Sequence, residues 1–520
     1  MRLWGPEGQS RIENAHICLL NGGALGSETL KNLVLPGIGE FTIVDGNKVT
    51  LRDLGNNFFV EQDSIGKSRA EEVTRLLYEL NDMVKDKHSI QQDPDALIES
   101  NPDFVKDYTI IIATEINPLS LLRLSQACTK YNKILVSIKI NGLIGQLRIQ
   151  AGEHTIVQSK PSFPPEDLRL NTPFPALAEF AASVSYDALD NMQFAHIPFP
   201  VILLKEIEAW KAAHEGRLPQ ADQEKDEFRA QIRSRKRKPD NENFDEAAQK
   251  AHFAWIPYQI PDGISSILND PKATNVTPES TNFWLLAAAV AAFVKNEGQG
   301  RLPLMGTIPD MTADTQSFIG LQMLFREKAL SDAACVGQHL RAILARLGLP
   351  PARVPDEEVQ AFCKFSLFLQ VLRYSTLEEE GSPEKVNKEA IGMALVDFLA
   401  GDDAPGEGCW YMALRAADRF YAAQGRYPGD RTQSWESDFE VLRGVMNEEL
   451  VALGFEPTQI DDKFLRELCR FGNSQIHNLA AILGGIAAQE IIKLVTCQWV
   501  PLNNTFIFNG INSTSVSLCL

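Results

Sequence analysis

The chain has 520 residues, enough for two to four domains around a sizeable core, and its 44% hydrophobic and 23% charged residues are ordinary globular composition. A net charge of −18 disfavours nucleic acid as the main ligand, because phosphate neutralisation needs a basic surface. Without an apolar run of about 18 residues no membrane span is expected; Met1-Arg-Leu-Trp-Gly-Pro6 is not a signal peptide, and eight scattered cysteines with no C-x-x-C pair read as reduced thiols of a cytoplasmic or nuclear protein.

In chain order, residues 15–20, 41–44, 109–113 and 134–140 are short β-branched runs and predict buried strands. Residues 27–33 and 68–80 predict the helices between them, which is the βαβ rhythm of a doubly wound sheet. The first strand runs into Ile17-Cys-Leu-Leu-Asn-Gly-Gly-Ala-Leu-Gly-Ser-Glu28. Gly23 and Gly26 keep the last two glycines of a G-x-G-x-x-G turn, Asn21 stands at the first, and Asp45 follows about 20 residues on, as a dinucleotide fingerprint requires. The two glycines read first as serving the tight turn and helix–sheet packing, with a phosphate cradle as the alternative; Asp45 reads as structural, with a ribose contact as the alternative.

The proline-rich stretch 161–175 breaks the rhythm and marks a domain boundary. Beyond it 202–213, 283–295 and 325–347 carry apolar residues at helical spacing. The run Arg233-Ser-Arg-Lys-Arg-Lys238 reads as a solvated loop, with a nuclear import signal as the alternative. Residues 477–496 predict a helix whose Gly484-Gly485 and Ala487-Ala488 permit close packing, and 503–508 and 513–518 predict strands. The expected architecture is an α/β fold in three stretches: 1–165, a largely helical insertion over 166–475, and 476–520.

Asn-x-Gly-x-x-Gly, Asp45 and Gly66-Lys67-Ser68-Arg69-Ala70 together resemble the adenylation domain of the ubiquitin-activating superfamily, which also contains the sulfur-carrier adenylyltransferases. Active members carry Asp-x-Asp after the second strand and then Ser-Asn-Leu-Asn-Arg-Gln-Phe. Here Asn47 replaces the second acid, Gly55 an asparagine and Asn56 the arginine. Adenylyl transfer rests mostly on positioned positive charge, which a neutral amide does not supply. Lys67 matches the phosphate-contacting lysine region, Arg69 stands for a second lysine, and Glu115 is a loose substitute for the metal-binding aspartate. No cysteine has the Pro-x-Cys-Thr setting of the family's nucleophile; Cys335 and Cys363 read as buried small hydrophobes. A Rossmann-like adenylation fold without its own catalysis is the result, with no catalytic residue and no metal ligand. A self-sufficient adenylyltransferase and an NAD-dependent oxidoreductase are the competing readings.

Further strings narrow the resemblance: Arg2-Leu-Trp-Gly, Leu30-Lys-Asn-Leu-Val-Leu-Pro-Gly-Ile-Gly39, Gly55-Asn-Asn-Phe-Phe59, Thr172-Pro-Phe-Pro175, Glu297-Gly-Gln-Gly-Arg-Leu-Pro303, Gly306-Thr-Ile-Pro-Asp-Met311, Gln424-Gly-Arg-Tyr-Pro-Gly429 and Leu483-Gly-Gly-Ile-Ala-Ala-Gln-Glu490. They resemble the regulatory subunits of neddylation activating enzymes, the amyloid-precursor-protein-binding protein type. The resemblance implies a heterodimer whose catalytic subunit holds ATP, Mg2+ and the nucleophilic cysteine, no cofactor on this chain, and a modifier of the Nedd/Rub kind. It also implies a conjugating enzyme leading to cullins, a cytoplasmic and nuclear location, and no membrane or nucleic acid. Family members carry an arginine just before Arg-Leu-Trp-Gly that reaches toward the partner's nucleotide; Arg2 is the nearest candidate here. The resemblance places partner contacts at His196, Asp310, Met311, Asp314, Phe318, Leu321, Gln322 and Met323. Core packing of 310–323 and an ordinary hydrogen bond for His196 remain open beside that.

Overall fold

The computed structural model describes residues 3–162, 166–397, 405–430, 435–457 and 460–520; Arg2 lies outside them. The chain forms two compact units, Met1–Thr155 with Val371–Leu520, and Ile156–Gln370. The first holds an eight-stranded sheet in the order β10-β9-β6-β5-β4-β1-β2-β3. Its strands are β1 His16–Leu20, β2 Glu40–Val44, β3 Asp86–Ile90, β4 Ile110–Thr114, β5 Ile134–Asn141, β6 Ile144–Gln150, β9 Thr505–Asn509 and β10 Thr514–Leu518. Two short strands, β7 Glu153–Ile156 and β8 Gln370–Arg373, pair separately. β1 to β5 pair in parallel, whereas β5–β6, β6–β9 and β9–β10 are antiparallel. The α/β expectation holds, with β1, β2, β4 and β5 buried on both faces as largely apolar runs and β3 an exposed edge.

The helix Ala24–Val34 and the long helix His477–Thr496 share one core with β1, β2 and β4. The small residues do what their size allows: a Cβ on Gly484 would lie 3.0 Å from the backbone nitrogen of Thr29. Contrary to the expectation from apolar runs, His477–Thr496 is long and apolar enough to cross a membrane by composition. Its hydrophobicity is spent on burial against the sheet, where Leu483, Ala487 and Ile491 are inaccessible.

The observed units differ from the expected 166–475 insertion. The chain rejoins the first unit at Val371, because Gly408–Gln424, Trp435–Leu453 and Asp462–Phe471 bury a common core with Ile144, Ile507 and Leu518 of the sheet. The antiparallel end of the sheet thus gains the cover that its apolar face requires.

The second unit is helical. Phe199–Ala213, Asp222–Ser234 and Glu242–Gln249 bury Ile202, Phe228 and Phe244 together. The longest helix, Thr315–Arg346, starts ten residues before the expected 325 because Asp314 caps it, accepting from the Ser317 backbone N–H at 2.9 Å. The 233–238 run is no free loop: Arg235 pairs with Glu206 at 3.1 Å, Lys236 with Asp245 at 2.8 Å, and Arg237 donates to the Leu189 carbonyl.

Candidate functional site

Strand order reverses between β1 and β4, and the crevice outside their carboxyl ends is where open α/β sheets bind ligands. β1 is followed by Asn21, whose φ of +69° is left-handed. Asparagine is among the few non-glycine residues that adopt this conformation readily, so it replaces the first glycine without losing the turn. Its side-chain amide donates to the Thr114 carbonyl at 2.8 Å, tying β1 to β4. Gly23 is the N-cap of Ala24–Val34. Gly26 is obligatory for packing: a Cβ there would lie 2.3 Å from the Asn21 carbonyl oxygen.

The cleft over this turn has a volume of about 390 Å³ and is lined by Gly23, Lys48, Arg52, Asn56, Arg69 and Glu115, with Phe471 and Gln475 from the C-terminal part of the same unit. Asp45 does not line it and is fully buried. Both carboxylate oxygens are occupied: Oδ2 accepts from the Gly22 N–H at 2.9 Å and from Arg69 Nε at 2.6 Å, and Oδ1 accepts from the Asn47 N–H at 2.8 Å. Arg69 also donates through Nη1 to Asp53 at 3.0 Å. Asp53 belongs to a capping box with Thr50. Burial pushes its carboxyl up, but the Thr50 hydroxyl and N–H together with Arg69 outweigh it and hold it below the ordinary aspartate range.

Glu115, at φ +54°, swings over the glycine turn, where a Cβ on Gly23 would lie 3.0 Å from its Oε2. Gln475 donates to its other oxygen at 2.6 Å. The side chain is open to the cleft yet crowded by protein, and that crowding, reinforced by Asp45 and opposed by Arg69, raises its carboxyl above the ordinary glutamate range.

This set does not fit a nucleotide triphosphate. The oxygens of Asp45 that would meet a ribose are taken by Arg69 and the Gly22 and Asn47 N–H groups, and a carboxylate stands at the helix N-terminus where a phosphate would gain from the dipole. Lys67 does not line the cleft; it is exposed and sits 3.8 Å from Glu72. The structure therefore unites Gly23, Gly26 and Asp45 and leaves Lys67 aside. Two residues were missed by sequence reasoning. Asn57 donates to the Gly22 carbonyl at 3.0 Å and accepts from Ser27, fixing the loop; its clue was its place in Gly55-Asn-Asn-Phe-Phe59. Gln475 carried no signal, being 360 residues from Glu115.

The proposed partner contacts separate in the same way. His196 and Asp314 line one cavity of about 500 Å³ in the second unit, and the Asp314 N–H donates to the His196 carbonyl at 3.4 Å. His196 Nδ1 lies 2.7 Å from the Met192 carbonyl, so it carries the proton. Asp310 is exposed, Met311 and Phe318 are half-buried, and Gln322 donates to the Gly306 carbonyl at 2.7 Å. Met323 is 54% exposed, and so is its neighbour one turn back, Ile319, at 51%. Leu321 is corrected: it is fully buried in the unit's own core and packs there instead of meeting a partner.

All eight cysteines are free thiols. Burial pushes Cys363 up to about 12, the opposite of an activated nucleophile; Cys335 is half-buried.

Comparison with known proteins adds the following. The ThiF family matches residues 1–519. The chain is 41% identical over 526 residues to the NEDD8-activating enzyme E1 regulatory subunit of Xenopus laevis, spanning 100% of this chain and 97% of that one. It is 40% identical over 521 residues to the NEDD8-activating enzyme E1 regulatory subunit AXR1 of Arabidopsis thaliana, spanning 100% and 95%. With the regulatory subunit of Saccharomyces cerevisiae the identity is 23% over 535 residues, spanning 99% and 98%.

Proposed function

The chain belongs to the ThiF family and, within it, to the NEDD8-activating enzyme E1 regulatory subunits, and on that premise we propose that it is the half of a heterodimeric activating enzyme that carries no adenylation chemistry of its own. Its catalytic partner holds ATP and Mg2+ and adenylates the C-terminal glycine of the Nedd/Rub modifier. The modifier then passes through a thioester to a conjugating enzyme and on to cullins. The work takes place in cytoplasm and nucleus. Exposed Met323 and Ile319, with Phe318 beside them, form the face offered to the catalytic subunit.

One observation carries the reading. Arg69 is bonded to the Asp45 carboxylate, and Glu115 sets a negative charge beside the glycine turn where a phosphate would have to lie. A catalytic site must present its charges to the reacting phosphate; here they are presented to each other.

ATP–pyrophosphate exchange tests it. The purified chain with modifier and Mg2+ is expected to give background exchange, and exchange is expected to appear when the catalytic subunit is added. Robust exchange by the chain alone overturns the proposal.

A further inference from the structure

The second unit contains an arginine whose charge the protein does not cancel. Two sequence strings, Thr172-Pro-Phe-Pro175 and Glu297-Gly-Gln-Gly-Arg-Leu-Pro303, converge beside it, and their residues line a cavity of about 500 Å³ together with Arg169 and Arg301. The same two arginines line a second cavity of about 440 Å³, walled by Phe253, Ile256, Pro257, Tyr258 and Pro261.

Arg169 is a structural group. It is buried, donates through Nε to Asp167 at 2.7 Å and through Nη2 to the Leu302 carbonyl at 2.7 Å. Arg301 differs. Its one side-chain hydrogen bond among the described residues goes to a neutral acceptor, Asn171 Oδ1, at 3.0 Å, and it meets no carboxylate at ion-pair distance. Its Nε and Nη1 are not among the buried unpartnered atoms, so they face accessible space. Asp167 is bonded to Arg169 alone, and Glu166, which also lines the second cavity, pairs with Lys250 at 3.2 Å. The two arginines flank Tyr258, with the guanidinium carbons 4.9 Å (Arg301) and 5.8 Å (Arg169) from the ring centroid. Tyr258 is itself held, its hydroxyl accepting from the Leu302 N–H at 3.2 Å.

The backbone is bent to hold this arrangement. Arg169 sits at φ +54° and Gln299 at +49°, both left-handed and both costly for residues with a side chain. Gly300, next to Arg301, takes +82°. Burial, then the neighbouring Arg169, lowers the Arg301 guanidinium below its ordinary value. The native fold therefore keeps a cation where it is disfavoured, against an aromatic wall, in a cavity within the size range of small-ligand sites.

We propose that the Arg301 cavity is a carboxylate-binding site, taking an acidic group carried next to an aromatic or apolar moiety. The guanidinium's open Nε–H and Nη1–H lie on different edges, with Cδ between them, and each can donate one charge-assisted hydrogen bond to a carboxylate oxygen. Phe253, Ile256 and the prolines take the apolar part. Two sources share this chemistry, a free organic acid and an acidic residue of a polypeptide.

Titrating the full chain with 3-phenylpropionate, its neutral analogue 3-phenylpropanol and N-acetyl-Phe-Glu amide, followed by ligand-observed NMR saturation transfer, tests the proposal. Saturable binding of the acid is expected, weaker as sodium chloride is raised, with none for the alcohol. Arg301→Gln is expected to weaken the acid about tenfold and Arg301→Lys by less. A tighter peptide assigns the site to a polypeptide ligand, and a tighter acid assigns it to a small molecule. Absence of saturable binding by both anionic probes, equal binding of the alcohol, or an Arg301→Gln variant with unchanged melting temperature and unchanged affinity overturns the proposal.

Discussion

The cleft beyond β1 and β4 and the cavity around Arg301 are nearly equal in volume, about 390 and 440 Å³, and each has an arginine in its wall. In the first, Arg69 stands between Asp45 and Asp53, at 2.6 and 3.0 Å. In the second, Arg301 has a neutral amide oxygen and a second arginine for company. A concave shape at a topological switch point invites a ligand, yet the buried arginine there is already paired with two aspartates, and only Lys48 and Arg52, exposed in its wall, keep their charge open. The other cavity lies at no such landmark and keeps its charge open. Charge balance, more than position in the fold, separates a site that has closed on itself from one that can still attract something.

The sharpest way to break this comparison is to neutralise each arginine in turn. Arg69→Met strands Asp45 and Asp53, both buried, and is expected to cost about 3–5 kcal/mol of stability in urea unfolding. Arg301→Gln removes a cation that no buried carboxylate depends on, and is expected to stay within about 0.5 kcal/mol of the parent. Similar losses at the two positions would mean that Arg301 is as structural as Arg69. A second pair separates packing from opening within the cleft. Gly26→Ala drives a methyl against the Asn21 carbonyl and is expected to cost about 2–3 kcal/mol. Gly55→Ala meets nothing within 4 Å in the helix Leu51–Asn56 and is expected to gain about 0.5 kcal/mol through helix propensity.

Much of this could be read from residue order because it was local. The parallel strands announce themselves as apolar runs, and Asp45 and Gly26 follow from the turn's spacing. β3 was missed because Asp86-Lys-His-Ser-Ile90 is an exposed edge with no apolar periodicity. The start of the helix Thr315–Arg346 was missed because its cap, Asp314, precedes a polar first turn. For Leu321 the resemblance favoured a partner contact while core packing stood open beside it, and only the fold shows that it is fully buried in the unit's own core. The decisive feature of the cleft was the least legible: Arg69 was visible as a lysine substitute, but its rotation onto Asp45, and the meeting of Glu115 with Gln475, are products of tertiary packing.

The smallest expected effect concerns Glu115, and it carries the sign of the whole comparison. Two influences compete on this carboxylate. The N-terminus of Ala24–Val34 and Arg69 favour its charge, whereas crowding by protein and Asp45 oppose it, and the opposition wins. A carboxyl raised in the native state holds its proton more tightly than in the unfolded chain. Its contribution to stability is therefore complete below the unfolded-state value and is lost as pH rises through the folded one. At pH 7 this raised carboxyl weighs against folding. Glu115→Gln keeps an oxygen for the Gln475 amide and removes the charge, so its urea midpoint is expected to exceed the parent's at pH 7. The two midpoints are expected to converge below about pH 4, where the parent side chain is also neutral. A lower midpoint for the variant at pH 7 would mean that the helix terminus and Arg69 form a net attractive seat for an anion. The cleft would then share the open character of the Arg301 cavity, with Glu115 as its present occupant.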